Sequence, residues 1–122
     1  MDTVIKLNRG YEDLQVWQKA LDLAEQIYLL TRGFPQQEVY GLTSQLRRAA
    51  VSIASNIAEG SARNNVGEFK QFIGISLGSV AELKTQLYIA RRIQLVEIDK
   101  LDVLLKQSSE VERMLNGLLR SL

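Results

Sequence analysis

The sequence predicts an all-α protein, an antiparallel up-down four-helix bundle. Three observations predict it: long stretches rich in Leu, Ala, Gln, Glu and Arg, apolar residues recurring three and four positions apart, and helix breakers gathered near a few short connections. There is one proline, Pro35, and no alternating strand pattern competes.

Taken in order, residues 1–10 read as a leader and residues 11–122 as the bundle domain. Asp13 is the expected N-cap of a first helix running to about Arg32, which Gly33, Phe34 and Pro35 then stop. The second helix is expected from about Tyr40 to Glu59, with Gly60 in a C-terminal capping position. The turn from Gly60 to Asn65 leads into a longer third helix, from about Val66 to Ile93. In the fourth, from about Glu97 to Leu122, a stripe of apolar or small residues runs through Leu101, Leu104, Ser108, Val111, Leu115, Leu118 and Leu122. Short connections between long helices favour antiparallel neighbours.

Composition narrows the function classes. A chain of 122 residues is long enough to bury one core without disulfide or metal staples. The absence of cysteine and histidine removes thiol nucleophiles, imidazole bases and the common zinc sites. Fifteen basic residues against fourteen acidic ones leave a charge of +1, so a polyanion-binding surface would have to come from local clustering. No apolar run approaches the roughly 18 residues of a membrane span, and a cytoplasmic protein without membrane attachment is the expectation.

The first helix carries two apolar stripes. Leu14, Trp17, Leu21, Ala24 and Tyr28 form one, and Val16, Ala20, Leu23, Ile27 and Leu30 the other. Together they cover roughly 200° of the helix, where a surface helix of a monomer needs little more than roughly 100°. One stripe suits the bundle's own core, and a neighbouring subunit is the simplest partner for the other. Deep packing inside one subunit is the competing reading.

The second helix has a polar arc of Gln45, Arg48, Ser52, Ser55, Asn56 and Glu59 opposite an apolar one. Most of these polar residues are small or neutral and mediocre in helix interiors, which suggests a seam meeting other polar groups. The third helix offers Glu68, Gln71, Ser79, Glu82 and Gln86 on one side. A hairpin about the Gly60–Asn65 turn would place Arg48 near Ser79 and within reach of Glu82, and a buried Arg48–Glu82 hydrogen-bonded pair is the expectation. Two separately solvated faces are the alternative.

Catalytic machinery is not apparent. Glu59, Glu68 and Glu82 invite comparison with di-iron bundles, whose metals need histidines that are lacking here. No pair of acids is singled out for hydrolysis, and no phosphate-binding glycine loop occurs. Gly74 and Gly78 fall inside a helix pattern, where small residues permit close helix approach. No enzyme activity, cofactor, metal or small-molecule substrate is expected. The basic residues Arg47, Lys70, Lys84, Arg91 and Arg92 are the candidate nucleic-acid contacts. In a monomer they would be a solvated face, whereas a ring would repeat them into a multivalent surface.

The segments LTSQLRRAAVSIASNIAEG (Leu42 to Gly60), GSVAELKTQL (Gly78 to Leu87) and YEDLQVWQKALDLAEQIYLLTRGFP (from Tyr11) resemble a family of four-helix bundles. Its members were first described as proteins encoded in intervening sequences of bacterial 23S ribosomal RNA genes. Gln45, Arg48, Ser52, Asn56, Glu59 and Gly60 carry the most specific part of the likeness. The resemblance implies an antiparallel bundle assembling into homopentameric barrels, and no catalytic residue. The family is also similar to the accessory variability determinant of diversity-generating retroelements, which binds nucleic acid and partners a reverse transcriptase.

Two functional readings follow. One is a non-enzymatic homo-oligomer holding RNA or other nucleic acid weakly through a ring of basic patches. The other is a protein-interaction adaptor, such as a reverse-transcriptase accessory protein, without nucleic-acid binding of its own.

Overall fold

The computed structural model describes residues 10–122, so the leader expected over residues 1–10 lies almost wholly outside the described residues. A 3-10 turn, Gly10–Asp13, precedes α1 (Gln15–Thr31). A second, Gln36–Glu38, precedes α2 (Leu42–Ser61), and α3 (Val66–Arg92) and α4 (Ile98–Ser121) complete a four-helix bundle. Each helix packs against two neighbours, α1 on α2 and α4, and α3 on α2 and α4. This is the arrangement short connections impose on antiparallel helices.

The core forms where the periodic apolar positions converge. Leu23 and Ile27 of α1 are fully buried with Leu46, Ile53 and Ile57 of α2, Ile73, Leu83 and Leu87 of α3, and Leu104 and Leu115 of α4. Fully burying such a side chain stabilises by about 1.5 to 3 kcal/mol each. On α4 the expected stripe is buried from Leu101 through Leu115, while Leu118 and Leu122 are partly buried against its edge. Ser108 sits in that core because its hydroxyl donates to the Leu104 carbonyl at 2.7 Å, leaving no unpaired donor.

Helix ends show where local chemistry differs from the sequence expectation. Asp13 is not an N-cap. It ends the 3-10 turn, and Leu14 precedes α1 without a side-chain cap. That entry is held instead by Gln18 Nε2 donating to the Glu12 carbonyl and by Tyr11 and Trp17 meeting edge to face, 5.2 Å between ring centroids. Asn65 caps α3, its side-chain oxygen accepting from the Glu68 amide at 3.0 Å. At the other end of α3, Gln94 adopts φ +67. Its amide donates to the Arg91 carbonyl, and the Leu95 amide donates to that of Ala90 at 2.8 Å, the paired bonds that close a helix through a left-handed residue.

Gly60 is not a C-cap. It is buried inside α2, which continues to Ser61, and a Cβ there would stand 2.6 Å from Phe72 Cβ and 3.0 Å from Phe69 Cδ1 of α3. The missing side chain lets α2 and α3 approach closely just before their connection.

Candidate functional site

The polar seam is partly assembled. Ser79 Oγ bonds Ser52 Oγ at 2.8 Å, Ser76 Oγ donates to the Ile53 carbonyl at 2.9 Å, and Asn56 Nδ2 donates to the carbonyl and hydroxyl of Ser52. Small side chains with hydroxyls thus stitch α2 to α3 where long ones would hold the helices apart. The register places Arg48 nearer Glu82 than Ser79. Gln45, Arg48, Ser52, Glu82 and Gln86 line a groove of about 350 Å³ between the two helices.

The buried Arg48–Glu82 pair is not formed in the single chain. Both residues are exposed, and neither takes part in a salt bridge among the described residues. Water on the open groove solvates each charge, so pairing is not forced, and exposed pairs are worth little in any case. Glu59 turns to Arg63 one turn away, at 3.0 Å, rather than across to α3. Gln45 is exposed as well.

The five basic candidates do not form one band within the chain. Arg47 reaches from α2 to α1, where its Nε donates to Thr31 Oγ1 at 2.8 Å and its guanidinium lies 4.4 Å from the centroid of the Tyr28 ring. Lys84 pairs with Glu112 of α4, and Arg91 donates to the Val96 carbonyl at 3.1 Å, bracing the connection between α3 and α4. Lys70 and Arg92 are exposed. They lie near opposite ends of α3, about 33 Å apart along its axis at a rise of 1.5 Å per residue.

A larger cleft, about 900 Å³, opens beside the end of α1 and the first half of α2. Arg32, Arg47 and Arg48 line it together with Tyr28, Phe34 and Thr43, and among the described residues no carboxylate does. Thr43 is 7% exposed, and its Oγ1 is buried without a hydrogen-bond partner. Of the lining residues, the sequence pattern singles out Arg47, as a phosphate contact, and Arg48, in the polar seam, but not Arg32, Phe34 or Thr43. The available signal was the polar, basic composition on both sides of Gly33–Pro35, which only tertiary folding brings to one wall.

Among the described residues no group of Asp and Glu is placed to hold a metal ion, and no helix is long and apolar enough to cross a membrane.

The sequence matches the 23S rRNA-intervening sequence proteins over residues 12–117. The chain belongs to that family. Among solved structures, this intervening-sequence protein is similar to a Bacteroides thetaiotaomicron protein of unknown function from the S23 ribosomal protein family. The TM-score is 0.79 with 22% identity, covering 86% of this chain and 95% of that one. At that identity the likeness carries the bundle fold and nothing about activity. No curated protein matches the sequence.

Proposed function

We propose that this intervening-sequence protein is a non-enzymatic, cytoplasmic structural bundle that associates with its own copies into a closed ring, with weak electrostatic contact to RNA. One observation carries the self-association: exposed large apolar side chains, found singly on α2 (Val51) and as Ile98 and Val103 on α4, are most numerous on α1 and α3, two helices that do not touch each other. On α1 the stripe of Val16, Ala20, Leu23 and Ile27 is buried; of the other stripe Leu14, Trp17 and Ala24 pack against the core, while Leu21 and Tyr28, with Leu29 beside them, are 43%, 40% and 46% exposed. On α3, Ile75, between Gly74 and Gly78, and Ile89, about three turns beyond Gly78, are 50% and 47% exposed, and an added Cβ at either glycine would meet nothing within 4 Å.

Two different faces on one subunit favour a head-to-tail contact, α1 of one copy against α3 of the next, which closes into a ring when the rotation between neighbours completes a circle and otherwise runs on as a filament. The small residues on α3 would let the neighbouring helix approach closely. Five is the preferred number, on the likeness to pentameric relatives. A ring also bears on RNA, since it would repeat the exposed Lys70 and Arg92 around an axis.

The adaptor reading keeps one observation in its favour. Arg47, Lys84 and Arg91 are already engaged within the chain, which leaves fewer cations for phosphates.

The absence of cysteine makes the test direct. Leu21→Cys chains mixed with Ile75→Cys chains under mild oxidation should form a mixed disulfide dimer in higher yield than either variant alone. No mixed product would count against the α1–α3 contact.

A further inference from the structure

We propose that the arginine-lined cleft between α1 and α2 binds a small organic phosphate, a phosphomonoester of nucleotide size. The cleft gathers three guanidinium groups, from Arg32, Arg47 and Arg48, with no carboxylate among its described lining residues, the neighbouring Glu38 turning its carboxylate to the Leu42 amide. In a nearly neutral chain, a wall of one sign is a local field that attracts anions.

The arginines differ in their freedom. Arg47 is fixed by its Nε bond to Thr31 Oγ1 and by the Tyr28 ring, which leaves its terminal nitrogens as preplaced donors. Arg32 and Arg48 are exposed and can close over a ligand. A guanidinium fork matches the paired oxygens of a phosphate, and a dianionic head suits more than one of them.

A second, independent observation points to a ligand. The Thr43 hydroxyl is buried in this wall without a hydrogen-bond partner, and a turn of its side chain toward the cleft would offer it to a ligand oxygen. Thr43 also lies in the first turn of α2, but the positive end of that helix is already met by Glu38, whose Oε1 accepts from the Leu42 amide at 3.2 Å, so the field in the cleft comes from the arginines.

The volume argues for more than a bare anion. About 900 Å³ falls in the range of sites for small organic ligands, and the half-buried Phe34 supplies apolar surface for the ligand's body. A phosphomonoester could be a free nucleotide or the 5′ end of an RNA. The chemistry of recognition is the same, and no reaction at the site is implied.

Calorimetric titration with adenosine monophosphate, adenosine and inorganic phosphate, and with a tetraribonucleotide carrying either a 5′-phosphate or a 5′-hydroxyl, tests the proposal. Adenosine monophosphate or the 5′-phosphorylated tetramer should bind at least tenfold more tightly than its unphosphorylated counterpart and than inorganic phosphate. Which of the two binds identifies the source. Arg48→Ala should weaken that binding about tenfold with the melting temperature of the unliganded protein unchanged, and Thr43→Val several-fold with a melting temperature no lower than the parent's, the light-scattering mass being unchanged in both. Absence of binding by every phosphorylated probe at millimolar concentration would overturn the proposal. So would a fall in mass on Arg48→Ala, which would assign the cleft to contact between subunits.

Discussion

Gly60 of α2 lies so close to Phe72 of α3 that a Cβ on the glycine would stand 2.6 Å from the Phe72 Cβ. Neither backbone can yield without moving a helix. Gly60→Ala should therefore destabilise the protein by about 1 to 3 kcal/mol, the usual cost of overpacking, despite alanine's better helix propensity. Gly74→Ala and Gly78→Ala meet nothing within 4 Å and should stabilise the isolated fold by about 0.5 to 1 kcal/mol. Urea denaturation of the three variants, each in a Leu21→Glu chain so that contact between subunits does not enter, checks the contrast, and equal effects would remove the packing role assigned to Gly60.

Gln94 holds a left-handed conformation that L side chains adopt at a cost, because its amide and that of Leu95 close the end of α3. Gln94→Gly should raise stability by about 0.5 to 1 kcal/mol, since relief of the steric penalty exceeds the added chain entropy of glycine. A loss of stability in thermal unfolding would contradict this.

Arg48 and Glu82 share a groove without pairing, so Arg48→Ala should leave stability within about 0.5 kcal/mol of the parent. Ser79→Ala, which removes a buried hydroxyl bonded to Ser52, should cost about 1 kcal/mol. If Arg48→Ala costs more than Ser79→Ala, the charge is buried in the assembled protein.

These contrasts show which features could be read along the chain. The bundle was legible because periodicity reports directly on the core: Val16, Ala20, Leu23 and Ile27 are spaced as a stripe and buried as one. Gly60 was misread because a glycine near a helix end looks the same whether it turns the chain or admits a neighbour, and only Phe72 decides between them. The seam was legible in composition but not in charge pairing, because whether water reaches Arg48 depends on how wide the groove between α2 and α3 is. The arginine cleft joins Arg32 to Thr43 and Arg47 across a connection whose path the sequence did not fix.

The RNA part of the proposed function has its own test. Filter binding of unrelated RNAs should show weak affinity that falls steeply as salt rises, with little sequence preference, because phosphate contacts release counterions. Lys70→Ala with Arg92→Ala should weaken all RNAs about equally and flatten the salt slope by roughly one unit per lost contact. No binding at low salt would leave the adaptor reading in its place.

Self-association is the central claim, and light scattering on the purified chain at micromolar concentration tests it most directly. The uncovered faces of α1 and α3 predict a single species whose mass is a whole multiple of the 13.8 kDa subunit, five being preferred, and a fall toward one subunit on Leu21→Glu. A monodisperse 13.8 kDa species for the parent chain would contradict the account.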